Sequence, residues 1–348
     1  LTNIRAAGGF IVDTTLQEYR APRPGRVYSR IGIACFVILV VTLLIQYAGV
    51  KLTAKYAPLV VLKPWFFWVA AFVPQYVFAV PIGIAILMRA PASGLQPRSV
   101  GIGTFITFLV ISMGIGYIGN IIGNLINTVI GRLIDTPSFN PVDLLVSQSS
   151  FLFKILVMVI LAPFIEELIF RKLIIDRIWI YGEGIAVLLS GLMFGLYHGN
   201  LYQFFYAFAL GAIFAYIYIR TGRLRYPVLL HMLINFMSGV LLPLISGEIL
   251  DGSLQRLDPS DTGALTEYVM ENLPQLLGFI AYVMFLFAVA IAGIVLFIIK
   301  RKTFVLESAP LQLAKGTGFK TVFLNVGMIL YTLGTLAMMV ANLVNYSF

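Results

Sequence analysis

Five side chains near the middle of the sequence could share one reaction. Glu166 and Glu167 stand side by side in "FIEELIFRK" (164–172), His198 ends "GLMFGLYH" (191–198), and His231 and Asn235 bracket "HMLIN" (231–235). The chain has only two histidines, and both follow the glutamates in apolar surroundings. Two imidazoles and a carboxylate can bind a divalent metal or activate a water by general base catalysis, and an amide beside them can donate to a developing oxyanion. Taken singly, each has a plainer reading: the acids could snorkel to an interface, and a lone histidine on an apolar face is usually a satisfied core residue. Together they are harder to explain that way. No H-E-x-x-H zinc signature, G-x-S-x-G elbow or Walker A sequence is present.

Helical spacing sorts the two carboxylates. Glu167 and Arg171 are four residues apart with the acid N-terminal, the favourable order for an ion pair, whereas Glu166 points about 100° away. Glu167 is expected to be held by Arg171, and Glu166 to face the bundle interior with no partner on its own helix. Phe194 and His198 share a helix face, as do His231 and Asn235.

The elements that must position these groups are membrane helices. The chain is 60% hydrophobic and 11% charged, against roughly 25% charged residues in an average soluble domain. A bilayer core of about 30 Å needs roughly 20 apolar residues in a helix. On that measure the apolar segments are 31–50, 65–88, 103–131, 149–170, 185–198, 201–219, 227–246, 274–299 and 322–346. The fifth is too short to cross alone, so the expected fold is an all-α, polytopic transmembrane helix bundle of eight or nine spans, with about four core helices carrying the site. The expected organisation is a cytoplasmic N-terminal arm (1–30), N-terminal membrane helices (31–148), the core (149–246), and an acidic loop with two further helices (247–348). Charged groups within such helices are costly, by at least about 2.5 to 3.5 kcal/mol each at the helix centre, which makes them functional candidates by default.

Charge sets the orientation. With nine crossings and a cytoplasmic N-terminus, 18 of the 24 Lys and Arg fall in the N-terminal arm and in the loops 89–102, 171–184, 220–226 and 300–321. The loop 247–273 on the opposite side is acidic, with Glu248, Asp251, Asp258, Asp261, Glu267 and Glu271 against Arg256. This is the asymmetry of the positive-inside rule, so the net charge of +9 is topological and the partner it implies is the lipid bilayer. The basic loops are short and lack the interleaved aromatics of a nucleic-acid site. Cys35, the single cysteine, reads as a small packing residue. "APRPGR" (21–26) reads as an extended linker, and "KPWFFW" (63–68) as an aromatic belt. Gly119 and Gly123, with Asn120, Asn124 and Asn127 at helical spacing, predict close helix packing with amides bonding across the contact.

Depth raises one tension. Taking Arg171 as the helix boundary, Glu166 lies about 8 Å inside and His231 about 8 Å inside Tyr226, but His198 lies about 21 Å from Gly184. Either the fifth helix starts below the surface, behind a dip at 176–184, or it is tilted.

The three stretches "EELIFR" (166–171), "FGLYH" (194–198) and "HMLIN" (231–235) resemble, in order and spacing, the E-E-x-x-x-R, F-x-x-x-H and H-x-x-x-N/D motifs of the CAAX protease and bacteriocin-processing (CPBP or Abi) family. The resemblance covers residues 149–246. It implies an intramembrane endopeptidase acting on a membrane-associated peptide or protein, in the plasma membrane of a prokaryote. Carried over by motif, Glu166 is the general base, His198 and His231 hold the water or a zinc ion, Asn235 stabilises the tetrahedral intermediate, and Glu167 and Arg171 support the geometry. Glu166, His198 and His231 are the candidate zinc set. Two other classes compete: a non-proteolytic scaffold or bacteriocin-immunity protein of the same fold, and an ion-coupled transporter, which would bury Glu and His on its path but is expected to show an internal repeat that the sequence lacks.

Overall fold

The computed structural model describes residues 23–135, 140, 149–247, 258 and 260–344. The arm before residue 23, with Arg5 and Arg20, and the acidic residues Glu248 and Asp251 of the 247–273 loop lie outside that set, as does Arg256. The described chain is helical and has no strand among the described residues. Among the described residues nine longer helices carry the fold: α1 (Pro24–Tyr56), α2 (Pro64–Leu87), α3 (Ile102–Leu133), α4 (151–178), α5 (Glu183–Tyr197), α6 (Leu201–Thr221), α7 (Arg225–Ser246), α8 (Leu273–Thr303) and α9 (Val326–Val344). Seven are long and apolar enough to cross a membrane. The other two are α4, whose apolar run is interrupted by Lys154, Glu166 and Glu167, and α5, which has 15 residues. This is an integral, multi-pass membrane protein. The segment read as a linker is partly helical, because Pro24, needing no amide hydrogen, opens α1 at its first position.

Hydrogen bonds gather the basic connections at one end of the bundle. Ser93 N–H donates to Asp176 O, Arg98 N–H to Thr221 O, and Leu311 and Leu313 N–H to Ile180 and Tyr181 O. Arg220 reaches both Glu183 and Glu307. Successive helices therefore alternate in direction, with the Lys- and Arg-rich turns together.

Small residues set the closest helix contacts. A Cβ on Gly191 would lie 2.8 Å from Ala212 N, and one on Gly211 would lie 2.9 Å from Gly191 Cα, so α5 and α6 meet backbone to backbone. The predicted seam at Gly119 and Gly123 is present: α3 packs there on Tyr206 and Tyr202 of α6. The amides behave otherwise. Asn124 donates to Asn120 and Asn127 to Gly123 O within α3, and Asn120 and Asn124 lie on the exposed side of the helix, away from the glycine seam.

Four stretches widen into π-helical turns: Val73–Ala79 in α2, Lys154–Leu161 and Leu168–Ile175 in α4, and Met237–Leu241 in α7. Proline explains three. Pro81 follows the first, as Pro163 and Pro243 follow the second and the last. Each lacks an N–H and crowds the carbonyl four residues back, and a wider turn relieves both faults. Nothing in the sequence accounts for Leu168–Ile175.

Candidate active site

Arg171 does not mark a helix end. α4 runs on to Ile178, and Arg171 is fully buried. Measured from Ile178, Glu166 lies about 18 Å in, while His198 lies about 22 Å from Glu183 at the start of α5. Moving the boundary brings the depths of Glu166 and His198 together, and leaves the short depth on α7, where His231 lies about 9 Å from Arg225. The connection between them is a short 3₁₀ turn, Trp179–Tyr181, closed by Gly182 at φ 145°. Trp179 Nε1 donates to Ser93 O.

Glu167 is the hub of the site. It is 0% exposed. Its Oε2 pairs with Arg171 Nε at 2.8 Å, and its Oε1 accepts from His231 Nδ1 at 3.0 Å. The expected ion pair with Arg171 is present, and the histidine is an additional partner that periodicity alone did not indicate. Arg171 Nη1 and Nη2 meet no hydrogen-bond acceptor among the described residues. The guanidinium lies instead over the rings of Phe194 (4.6 Å) and Phe214 (5.6 Å), an arrangement in which the ring quadrupole partly replaces solvent.

Glu166 turns the other way, as its helical offset predicted. Its Oε1 accepts a long, 3.4 Å hydrogen bond from the Tyr76 hydroxyl of α2, and its Oε2 stands 3.9 Å from His231 Nε2. That last separation is too long for a direct hydrogen bond.

Both imidazoles are fixed in the same tautomer. A carboxylate and a carbonyl can only accept, so His231 Nδ1 donates to Glu167, and His198 Nδ1 donates to Phe194 O at 2.8 Å. In a neutral imidazole so oriented, Nε2 is left as the acceptor. Phe194 separates the rings, with centroids 5.0 Å from His198 and 5.7 Å from His231. Beyond His198 the chain turns at Gly199 (φ 63°), and Asn200 caps α6 by accepting from Gln203 N–H at 2.9 Å. Asn235, one turn after His231, donates to Met158 O at 2.9 Å. The amide's second hydrogen and its oxygen remain for other partners.

The candidate zinc set of Glu166, His198 and His231 is not drawn together into a ligand cluster in this arrangement. Among the described residues no group of three or more His, Cys, Asp or Glu side chains is arranged to hold a metal ion. Tetrahedral ligands about 2.0–2.1 Å from zinc lie roughly 3.3 Å apart, closer than Glu166 Oε2 and His231 Nε2.

The sequence reading missed Gln75 and Tyr76. Gln75 donates to the Tyr197 hydroxyl, so two consecutive α2 residues reach the bundle interior. The signal was available: apart from the tryptophans, they are the polar residues of an otherwise apolar span, beside Pro74. "KPWFFW" likewise divides: Trp65 is 53% exposed, whereas Trp68 is buried and stacks on Phe72 at 4.9 Å, which stacks on Tyr76 at 5.6 Å.

Comparison with known proteins places the match on this site. Residues 148–237 match the family model described as type II CAAX prenyl endopeptidase Rce1-like. YdiL, a candidate membrane peptidase of Bacillus subtilis, is 35% identical over 82 residues, which are 23% of this chain and 34% of that protein. The membrane-embedded CAAX protease MroQ of Staphylococcus aureus is 35% identical over 83 residues, 22% of this chain and 34% of MroQ. CAAX prenyl protease 2 of Homo sapiens is 34% identical over 99 residues, 22% of this chain and 30% of that protein. The chain thus spans about a third of the length of the curated relatives it matches. No solved structure matches it. The resemblance drawn from the three motifs is shown over residues 148–237, which hold all seven motif residues and match the Rce1-like type II CAAX prenyl endopeptidases.

Proposed function

We propose that this protein is an intramembrane endopeptidase that hydrolyses a peptide bond of a membrane-associated peptide or protein, with Glu166 as general base. The observation that carries the reading is the relay Arg171, Glu167, His231, which presents a bare His231 Nε2 toward Glu166 inside a buried bundle. A water between Glu166 Oε2 and His231 Nε2 would give one hydrogen to each acceptor, a bridging arrangement that suits polar groups too far apart to bond directly. Glu166 takes the water's proton as the oxygen attacks the scissile carbonyl carbon. The free Asn235 amide hydrogen donates to the resulting oxyanion. Glu166 then returns the proton to the leaving nitrogen, the C–N bond breaks, and the products are a carboxylic acid, which keeps the water's second proton until it ionises to solvent, and an amine. His198 Nε2 offers the water's second hydrogen an alternative acceptor to His231 Nε2. No step in this scheme passes through a metal.

The same reading places the basic end of the bundle, with the N-terminus, on the cytoplasmic side of a prokaryotic plasma membrane, in keeping with the positive-inside rule. The test compares membrane peptides from cells carrying the native chain with those from cells carrying Glu166→Gln. A fragment that accumulates only with the native chain is expected. Equal fragment profiles at equal protein levels would refute the reading.

A further inference from the structure

We infer that Tyr76, which lies outside the segment matched to the CAAX proteases, is a positioning residue for Glu166. The inference rests on the peptidase reading of this site. A carboxylate that works as a base must offer one oxygen to the water and keep the other occupied, or the group rotates and the two oxygens exchange roles. Glu166 has no partner on its own helix, and Tyr76 OH is the hydrogen-bond donor on its Oε1. With Oε1 held there, Oε2 faces His231 Nε2.

The tyrosine is itself held from two directions. Its ring ends the aromatic ladder of Trp68, Phe72 and Tyr76, whose first member is buried and also packs on Phe153 of α4 at 4.5 Å. Its neighbour Gln75 is tied to Tyr197, and the Tyr197 ring packs on Phe170 at 5.2 Å. The widened turn Val73–Ala79 around Pro74 accompanies the inward placement of both side chains. A 3.4 Å contact is long for O–H···O, and catalytic hydrogen bonds are often long without substrate and tighten when it binds.

The test uses purified full-length protein in proteoliposomes with a pool of lipid-tethered, internally quenched random peptides. The peptide cleaved fastest then supplies kcat and KM. Tyr76→Phe keeps the ring in its stack and removes only the hydroxyl. Its kcat is expected to fall about 10- to 100-fold, the range for one hydrogen bond to a charged group, with KM within about twofold and unchanged melting in detergent. Tyr76→Leu, which also breaks the ladder, is expected to lower the melting temperature as well. Native kcat in Tyr76→Phe, with Glu166→Gln inactive, overturns this inference and leaves the peptidase reading standing. Parallel losses of kcat and melting temperature in Tyr76→Phe also overturn it, since they mark a structural role. Native turnover in Glu166→Gln overturns both.

Discussion

Replacing Glu167 with glutamine separates support from chemistry at this site. The carboxylate is fully buried and carries two partners, Arg171 Nε at 2.8 Å and His231 Nδ1 at 3.0 Å. Glutamine keeps the shape but removes the counter-charge of a guanidinium that is also 0% exposed. The remaining guanidinium nitrogens have two aromatic faces and no acceptor among the described residues to fall back on. Leaving one member of a buried pair alone costs about 3 to 5 kcal/mol, and the complete burial of both groups argues against discounting that figure for solvent. At about 1.4 kcal/mol per tenfold, the folding equilibrium shifts by roughly a hundredfold to a few thousandfold. Glu167→Gln should therefore lower the folded yield in membranes and the melting temperature in detergent. The double variant Glu167→Leu with Arg171→Met removes both charges at similar volume and should recover most of that stability. It should stay inactive, because His231 has lost the acceptor that fixes its tautomer. A double variant that folds and turns over substrate normally would refute the relay, as would native stability in Glu167→Gln alone.

Two further outcomes test the same arrangement. His198→Ala and His231→Ala should each abolish nearly all turnover, and combining them should cost little more, since groups acting as a unit are non-additive; losses that multiply would argue against a shared water. Metal analysis of the same preparations reads the zinc expectation separately, because stoichiometric zinc that disappears in both variants would make the pair its ligands and refute the metal-free scheme. For sidedness, Cys35 is buried, so single cysteines introduced at Arg223 and Asp258 can be labelled without background. Reagent should reach the first only from the cytoplasm and the second from outside intact cells, and labelling of both from one side would sink the orientation.

Much of the site was legible because it is written in local spacing. The i,i+4 relation of Glu167 to Arg171 predicted their pairing, and the 100° offset predicted that Glu166 would look elsewhere. Tyr76 was not legible, since its contact with Glu166 spans 90 residues and depends on which faces of two helices meet. The bond from His231 to Glu167 was hidden for the same reason. The helix boundary at Arg171 was misjudged because a basic residue in an apolar chain reads as a membrane edge. Here a buried carboxylate and two aromatic rings shelter it instead. The asparagines of α3 misled in the opposite sense: their spacing was right for crossing to a neighbour, but an amide can also be satisfied one turn back on its own helix.

The glycine contacts between α5 and α6 divide the bundle mechanically. Where two backbones touch, neither helix can slide or roll without collision, so the α5–α6 hairpin and the His198 at its tip form a stiff reference frame. Tyr76, Glu166 and Asn235 come from α2, α4 and α7, the helices with widened turns and internal prolines. Those turns hold fewer regular backbone hydrogen bonds and bend at lower cost. Compliance is thus placed on one wall of the site and rigidity on the other. An extended peptide entering between the helices would be accommodated by α2, α4 and α7 yielding, while His198 keeps its place.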